Sequence, residues 1–281
     1  MINKPLVSIG VPIFNEEKNI AKCLENILKQ TYNNIEVIIS DNCSTDNTIK
    51  ICEAYRKKDK RIKIFKFSKN LGQGKNFYNV LKKAKGDFFM FQSADDWRSS
   101  NFIKENLDYL VKNKDYIGSS GIAIFNNKEK NDKQYLSLKE TSHKNTLNFF
   151  KMKWYSHSIV YGLFVKKKII KFLDFFKSDN YLAKDWVFNL LIINLGSFNF
   201  NNKTRIKFGS GLSVKKNAIK LQRSKFFYLN FVEIFVPIAQ ALIDLVKLRH
   251  YFSTKSKIYI IVNLIKLSLT INFINIKRAL F

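Results

Sequence analysis

Four times in the first hundred residues an apolar run breaks into a polar cluster, and a helical pattern follows. Val7–Val11 ends at Pro12 and opens into Ile13-Phe14-Asn15-Glu16; from Glu17 apolar residues recur at Ile20, Leu24, Ile27 and Leu28. Ile35–Ser40 ends in Asp41-Asn42-Cys43-Ser44, ahead of a stripe on Ile49, Cys52 and Tyr55 that Ser44 or Thr45 could cap. Ile62–Phe67 opens into Asn70-Leu71-Gly72-Gln73-Gly74-Lys75-Asn76, followed by Phe77, Val80, Leu81 and Ala84. The fourth run, Phe88–Phe91, follows a Gly-Asp turn and ends in Ser93-Ala94-Asp95-Asp96-Trp97. Short buried runs alternating with amphipathic helices predict an α/β fold: a doubly wound, mostly parallel sheet with right-handed crossovers. All four polar ends then lie on one edge, where open α/β sheets bind their ligands.

Asp95-Asp96 is the sharpest of these ends. Adjacent carboxylates repel, and a cation or a hydrogen-bonding ligand keeps such a pair together. Alone, either could be the N-cap of a following helix; four polar ends on one edge favour a ligand. No third glycine follows Gly72-Gln73-Gly74 at Phe77, and the cluster follows the third strand, which disfavours a dinucleotide fold. No GxxxxGK[ST] is present, against a P-loop NTPase. Without a nest of glycines, a diphosphate here is most simply neutralised by a divalent cation held by carboxylates.

Charge separates the two parts of the chain. Residues 1–110 carry 19 Lys and Arg against 13 Asp and Glu, whereas 111–281 carry 30 against 9, for a net of +27 overall. A surplus of this size suits an anionic partner. No nucleic-acid-binding signature accompanies it, so nucleic acid is not expected and an anionic membrane surface is. Cys23, Cys43 and Cys52 lack metal-type spacing and read as free thiols in a reducing compartment. The N-terminus meets charge too early for a signal peptide, and no apolar run reaches membrane-spanning length.

Beyond Asn101 the pattern predicts a helix on Phe102, Ile103, Leu107 and Leu110, and then a strand over Ile117–Phe125. Residues 126–146 read as an exposed polar excursion. Lys166–Lys168 and Lys171 begin a helix, Trp186–Leu195 is helical, and Phe198–Phe208 is strand-like, closing in Gly209-Ser210-Gly211-Leu212-Ser213. From about Lys215 the tail is helical, amphipathic and basic. Trp186 is expected in the core, Trp97 either at a ligand pocket or in the core, and His157 in a structural or ligand-binding role.

With VPIFNEE, QTY, DNCSTDNT, NLGQGKN, GD and ADDW in order, the chain resembles glycosyltransferase family 2, closely over residues 5–110 and loosely over 150–213. The resemblance implies a GT-A fold and inverting sugar transfer from a nucleotide-sugar, with a UDP-sugar as the usual donor and Mn²⁺ or Mg²⁺ as cofactor. It implies that Pro12, Phe14 and Glu16 line the nucleoside pocket and that Asp41 accepts from the uracil N3–H. Gly72 to Lys75 would border the nucleoside and diphosphate, with Ser93 also on the nucleotide-sugar. Asp95 would approach the ribose or donor sugar, and Asp96 would ligate the metal. Asp185, in Ala183-Lys184-Asp185-Trp186, would be the catalytic base, although Lys184 replaces the acid common before it. Phe14 stands where Tyr is common, and Lys207 where a His is expected.

The expected domains are 1–214, a GT-A domain made of a nucleotide-sugar half (1–110) and an acceptor and base half (111–214), and a basic helical tail at 215–281. The expected function is inverting transfer to an acceptor hydroxyl of a glycan or lipid-linked substrate in envelope polysaccharide or lipopolysaccharide synthesis. Its expected location is cytoplasmic, peripheral at the inner face of the membrane. The alternative is a non-catalytic GT-A protein that binds nucleotide-sugar and acts through its basic surface.

Overall fold

A computed structural model describes residues 4–125, 128–129, 138–139, 142–152, 158–177, 184–209 and 239–280. The chain packs as two units, each assembled from separated stretches. The first comprises 1–134, 158–179 and 198–211; the second comprises 135–157, 180–197 and 212–281.

The first unit holds the sheet. Its parallel half is β1 (Val7–Ile13), β2 (Ile35–Asp41), β3 (Ile62–Lys66) and β4 (Phe88–Phe91), with crossovers through α1 (Ile20–Leu28), α2 (Thr48–Lys58) and α3 (Gln73–Lys83). Pairing in the order β3-β2-β1-β4 is parallel throughout: Val7 faces Ile35 and Phe88, and Val37 faces Ile62. A strand covered on both faces must be apolar nearly throughout, and in β2 and β4 every residue is buried. α1 buries Ile20, Cys23, Leu24 and Ile27 along one stripe, as its spacing predicts.

Beyond β4 the sheet turns antiparallel. It is continued by β5 (Trp97–Arg98), β6 (Tyr116–Phe125), β7 (Lys128–Glu129), β8 (Leu163–Val165) and β9 (Ser197–Lys207). Among the described residues nine strands share one sheet, ordered β3-β2-β1-β4-β8-β6-β9-β5, with β7 on β6. Helix α4 (Phe102–Lys112) buries Phe102, Ile103, Leu107 and Leu110. The lysine cluster opens α6 (Lys166–Ile169), continued by a 3-10 helix, Ile170–Lys177, that packs against α3.

At the amino-terminal edge a buried network ties the parallel strands together. Glu36 accepts from Ser8 Oγ (2.7 Å), Lys85 N–H (2.7 Å) and Lys63 Nζ (2.6 Å), and Gly86 N–H donates to Ser8 Oγ (2.8 Å). Burial pushes the Glu36 carboxyl up, but bonds from Lys63, Ser8 and Lys85 outweigh it and hold the group below its ordinary value.

The second unit contains α5 (Ser142–Met152), α7 (Lys184–Leu195), α8 (Ala239–Lys247) and α9 (Thr254–Leu280). Here the expectation of an exposed excursion through residue 146 fails. Asn145 and Thr146 are buried in α5, with Asn145 Nδ2 donating to Ile193 O at 3.1 Å, because a polar residue can be buried once its hydrogen bonds are met. The described tail helices likewise pack on this unit, α9 against α5 and α8 against α7.

Candidate active site

The carboxyl ends of β3, β2, β1 and β4 lie side by side, and side chains stitch the loops between them. Asn42 N–H donates to Ile13 O (3.0 Å), and its side chain bonds Asn70 Oδ1 (2.8 Å) and Leu71 N–H (2.8 Å). Asn76 Nδ2 reaches Ile13 O (3.0 Å). These bonds span all three loops leaving β1, β2 and β3, so the predicted edge is one pre-formed surface.

Pro12 lies half-buried one residue before the end of β1, and Phe14 just beyond the strand is 42% exposed, leaving a ring face at the edge. Asn15 has φ 54°, a left-handed turn that Asn tolerates. Glu16 accepts from Asn19 Nδ2 (2.9 Å), and its N–H donates to Thr48 Oγ1 (2.7 Å), so it also builds the loop entering α1. Asp41 is buried and accepts from Ser44 Oγ and Ser44 N–H. A carboxylate has about four acceptor positions, so the Ser44 bonds orient Asp41 without exhausting it. Ser44 is therefore an orienting residue; neither it nor Thr45 caps α2, whose first residue, Thr48, bonds Asp46 instead.

Gly72 precedes α3 at φ 89°, a conformation costly for any residue with a Cβ. This turn aims the α3 N-terminus, with exposed Lys75 in its first turn, at the same edge. The dipole of a helix N-terminus favours an anion there.

The segment after β4 is held from below. Helix α4 begins only at Phe102, with Asn101 at its N-cap, so Asp95 and Asp96 are not helix caps. Gln92 Nε2 donates to Ser93 O (2.8 Å) and Asp96 O (2.9 Å). Beneath it lies Arg98, only 1% exposed, which donates to Gln92 Oε1, Phe91 O (2.7 Å) and Tyr161 O (2.9 Å) and stacks on Phe102. Burial pulls the Arg98 guanidinium down to about 10, against the opposing pull of Asp96. The Cys23 thiol donates to Ser93 O at 3.7 Å, and burial keeps it protonated. Ser93 Oγ donates to Tyr161 Oη at 3.1 Å.

Asp95 is half-buried, whereas Asp96 is buried and its Oδ1 accepts from Gly209 N–H at 3.0 Å. A Cβ on Gly209 would lie 2.4 Å from Asp95 Oδ2, so the chain leaving β9 cradles the carboxylate pair with bare backbone. Trp97 faces outward at 44% exposure, which excludes its core reading; Lys207, exposed, sits opposite it on β9.

Asp185 lies in the first turn of α7, half-buried, in the second unit. Trp186, half-buried, packs edge-on against Phe149 (5.5 Å) rather than sitting fully in the core. His157 and residues 210–238, with most of the Gly-Ser-Gly turn and the start of the tail, lie outside the described residues.

Sequence reasoning missed Arg98, Gln92 and Tyr161, and read Gly209 only as part of the closing turn. Only Arg98 left a signal: in a two-residue strand neighbours face opposite ways, so an outward Trp97 forces Arg98 inward.

Among the described residues no three His, Cys, Asp or Glu side chains gather as a metal site. Two carboxylates do fit Mg²⁺ or Mn²⁺ bound with a nucleotide, because such ions take one or two protein carboxylates and complete their shell with phosphate and water.

A family model for glycosyl transferase family 2 matches residues 8–173, well over half of the chain. The chain belongs to this family. Over 222 residues it is 31% identical to a dolichyl N-acetyl-alpha-D-glucosaminyl phosphate 3-beta-D-2,3-diacetamido-2,3-dideoxy-beta-D-glucuronosyltransferase of Methanococcus voltae, covering 75% of this chain and 68% of that one. Glycosyltransferase GlyG of Streptococcus pneumoniae is 40% identical over 111 residues, which is 39% of this chain and 36% of GlyG. Among solved structures, residues 1–349 of S. aureus TarS in complex with UDP-GlcNAc superpose with a TM-score of 0.60 at 20% identity, covering 74% of this chain and 59% of that one. A Pyrobaculum calidifontis mannosyltransferase, in complex with GDP-Man and Mn²⁺, superposes at 0.56 and 14% identity, covering 78% and 60%. These two likenesses carry the GT-A fold.

Proposed function

We propose that the chain transfers a sugar from a UDP-sugar to an acceptor hydroxyl with inversion, in the synthesis of an envelope polysaccharide or lipopolysaccharide. The observation that carries this reading is the convergence of four strand ends on a carboxylate pair cradled by Gly209. The UDP-GlcNAc complex of a fold neighbour and the acceptor in the Methanococcus voltae relative's name support the donor and a lipid-linked or glycan acceptor.

In this reading the base rests on the Phe14 ring, bordered by Pro12 and Glu16. Asp41, oriented by Ser44, accepts from the uracil N3–H. The diphosphate lies against the α3 N-terminus between Gly72 and Lys75, where N–H groups and the Lys75 charge offset its own. Asp96 would hold the Mn²⁺ or Mg²⁺, and half-buried Asp95 reaches outward to the ribose or donor sugar. Ser93 contributes to donor binding through its hydroxyl. The bound ion would act as a Lewis acid, stabilising charge on the departing diphosphate. Asp185 takes the proton from the acceptor hydroxyl as its oxygen attacks the anomeric carbon, and the nucleoside diphosphate leaves from the opposite face. A single base suffices because inversion is one displacement. The location that suits such an acceptor is the inner face of the membrane.

The test is hydrolysis and transfer with a panel of UDP-, GDP- and dTDP-sugars, with and without Mn²⁺. Turnover with a UDP-sugar that needs the ion and falls at least about hundredfold in Asp96→Asn and Asp95→Asn is the expected result. Absence of turnover, with UDP still binding, would leave the chain a nucleotide-sugar-binding protein.

A further inference from the structure

Helix α9 is apolar on two faces, and among the described residues one of them is packed within its unit. Ser256, Ile260 and Leu264 are buried toward α5. On the other side Ile258 (59%), Ile261 (52%), Val262 (43%), Ile265 (51%) and Leu269 (64%) stand exposed. Their spacing of three and four residues aligns them in one stripe along the helix. An aligned exposed stripe of this kind marks an interaction surface, unlike apolar residues scattered singly.

Charge identifies what the stripe meets. At 100° per residue Lys255 and Lys266 border it on one side and Lys257 on the other. From Leu245 to the last residue the sequence has seven Lys and Arg and no Asp or Glu. A second copy of the chain would bring the same cationic border against its own, like charge on like. An anionic lipid surface offers both halves of the match, acyl chains for the stripe and phosphates for the lysines. Among the described residues no helix is long and apolar enough to cross a membrane, so a helix with such a stripe lies in the interface plane.

We propose that Ile258, Ile261, Val262, Ile265 and Leu269 of α9, bordered by Lys255, Lys257 and Lys266, form the docking face by which the protein binds an anionic membrane surface. The proposal deepens the membrane-facing acceptor reading above and names its contact. It needs no sugar transfer, so the two can fail separately.

The experiment is co-sedimentation of the full chain with vesicles of phosphatidylcholine and phosphatidylglycerol in equal parts, against phosphatidylcholine alone. The wild type pellets with the anionic vesicles and much less with the neutral ones. Ile261→Ser combined with Ile265→Ser lowers the partition coefficient at least about tenfold, since each buried methylene counts. Replacing Lys255, Lys257 and Lys266 by Gln removes most of the preference for anionic lipid. UDP-induced thermal shift, read on the same variants, stays at the wild-type value because the stripe lies outside the nucleotide edge, and so reports folding. Equal partition of wild type and the double Ser variant overturns the proposal. So does a dimer in solution that the double variant dissociates while vesicle binding persists.

Discussion

Gly209 and Arg98 show how single residues can set a carboxylate pair without touching a ligand. Gly209 passes so close to Asp95 that a methyl group there must push either the backbone or the carboxylate aside. Gly209→Ala is therefore expected to lower kcat/KM about hundredfold, in line with the cost of a displacement near 1 Å at a reacting centre. Its thermal midpoint should move little. Steady-state kinetics at several Mn²⁺ concentrations, alongside a melting curve, check both parts; unchanged kinetics would mean the backbone yields instead. Asp185 calls for a different signature. Its replacement by Asn should reduce transfer about 10²–10⁴-fold while UDP-sugar binding, followed by calorimetry, keeps its affinity.

The segment between β4 and β5 behaves as one element because Arg98 and Gln92 bond its backbone from beneath. Arg98→Met leaves the carbonyls of Phe91 and Tyr161 and the Gln92 side chain without this donor in a buried place. A loss of about 1–3 kcal/mol in urea unfolding is expected. Arg98→Lys should recover little of it, since an ammonium cannot span three acceptors that a planar guanidinium reaches. At the opposite edge, Glu36 gives the parallel strands a pH dependence. Its folded pKa lies below the unfolded value of about 4.3. Its stabilisation is therefore fully present above that value and disappears as pH falls through it toward the folded pKa. Glu36→Gln should cost about 2 kcal/mol at neutral pH and flatten the acid limb of stability against pH; a parallel acid limb in both proteins would count against the network.

For the molecule as a whole, nucleotide-edge residues and the expected base fall in different packing units. The residues proposed for donor and cation binding, Phe14, Asp41, Gly72, Asp95 and Asp96, lie in the first unit; Asp185 and the exposed stripe of α9 lie in the second. Variants in the first unit should therefore change UDP binding, and those in the second should change transfer or vesicle partition without it.

The alternation of apolar runs and helical stripes determined the parallel half of the sheet and its polar edge, because period and burial are local properties that each segment carries in its own residues. The same was true of Asp41, Gly72 and the Asp95-Asp96 pair, which punctuate strand ends. What supports that pair was decided only by tertiary structure. Gly209 and Tyr161 both come from far along the chain. Such partners are chosen by which backbones meet in space, and nothing in their own neighbourhood encodes that meeting. The excursion that became α5 makes the same point from the opposite side: Asn145 reads as exposed until Ile193 O offers the hydrogen bond that allows it to be buried.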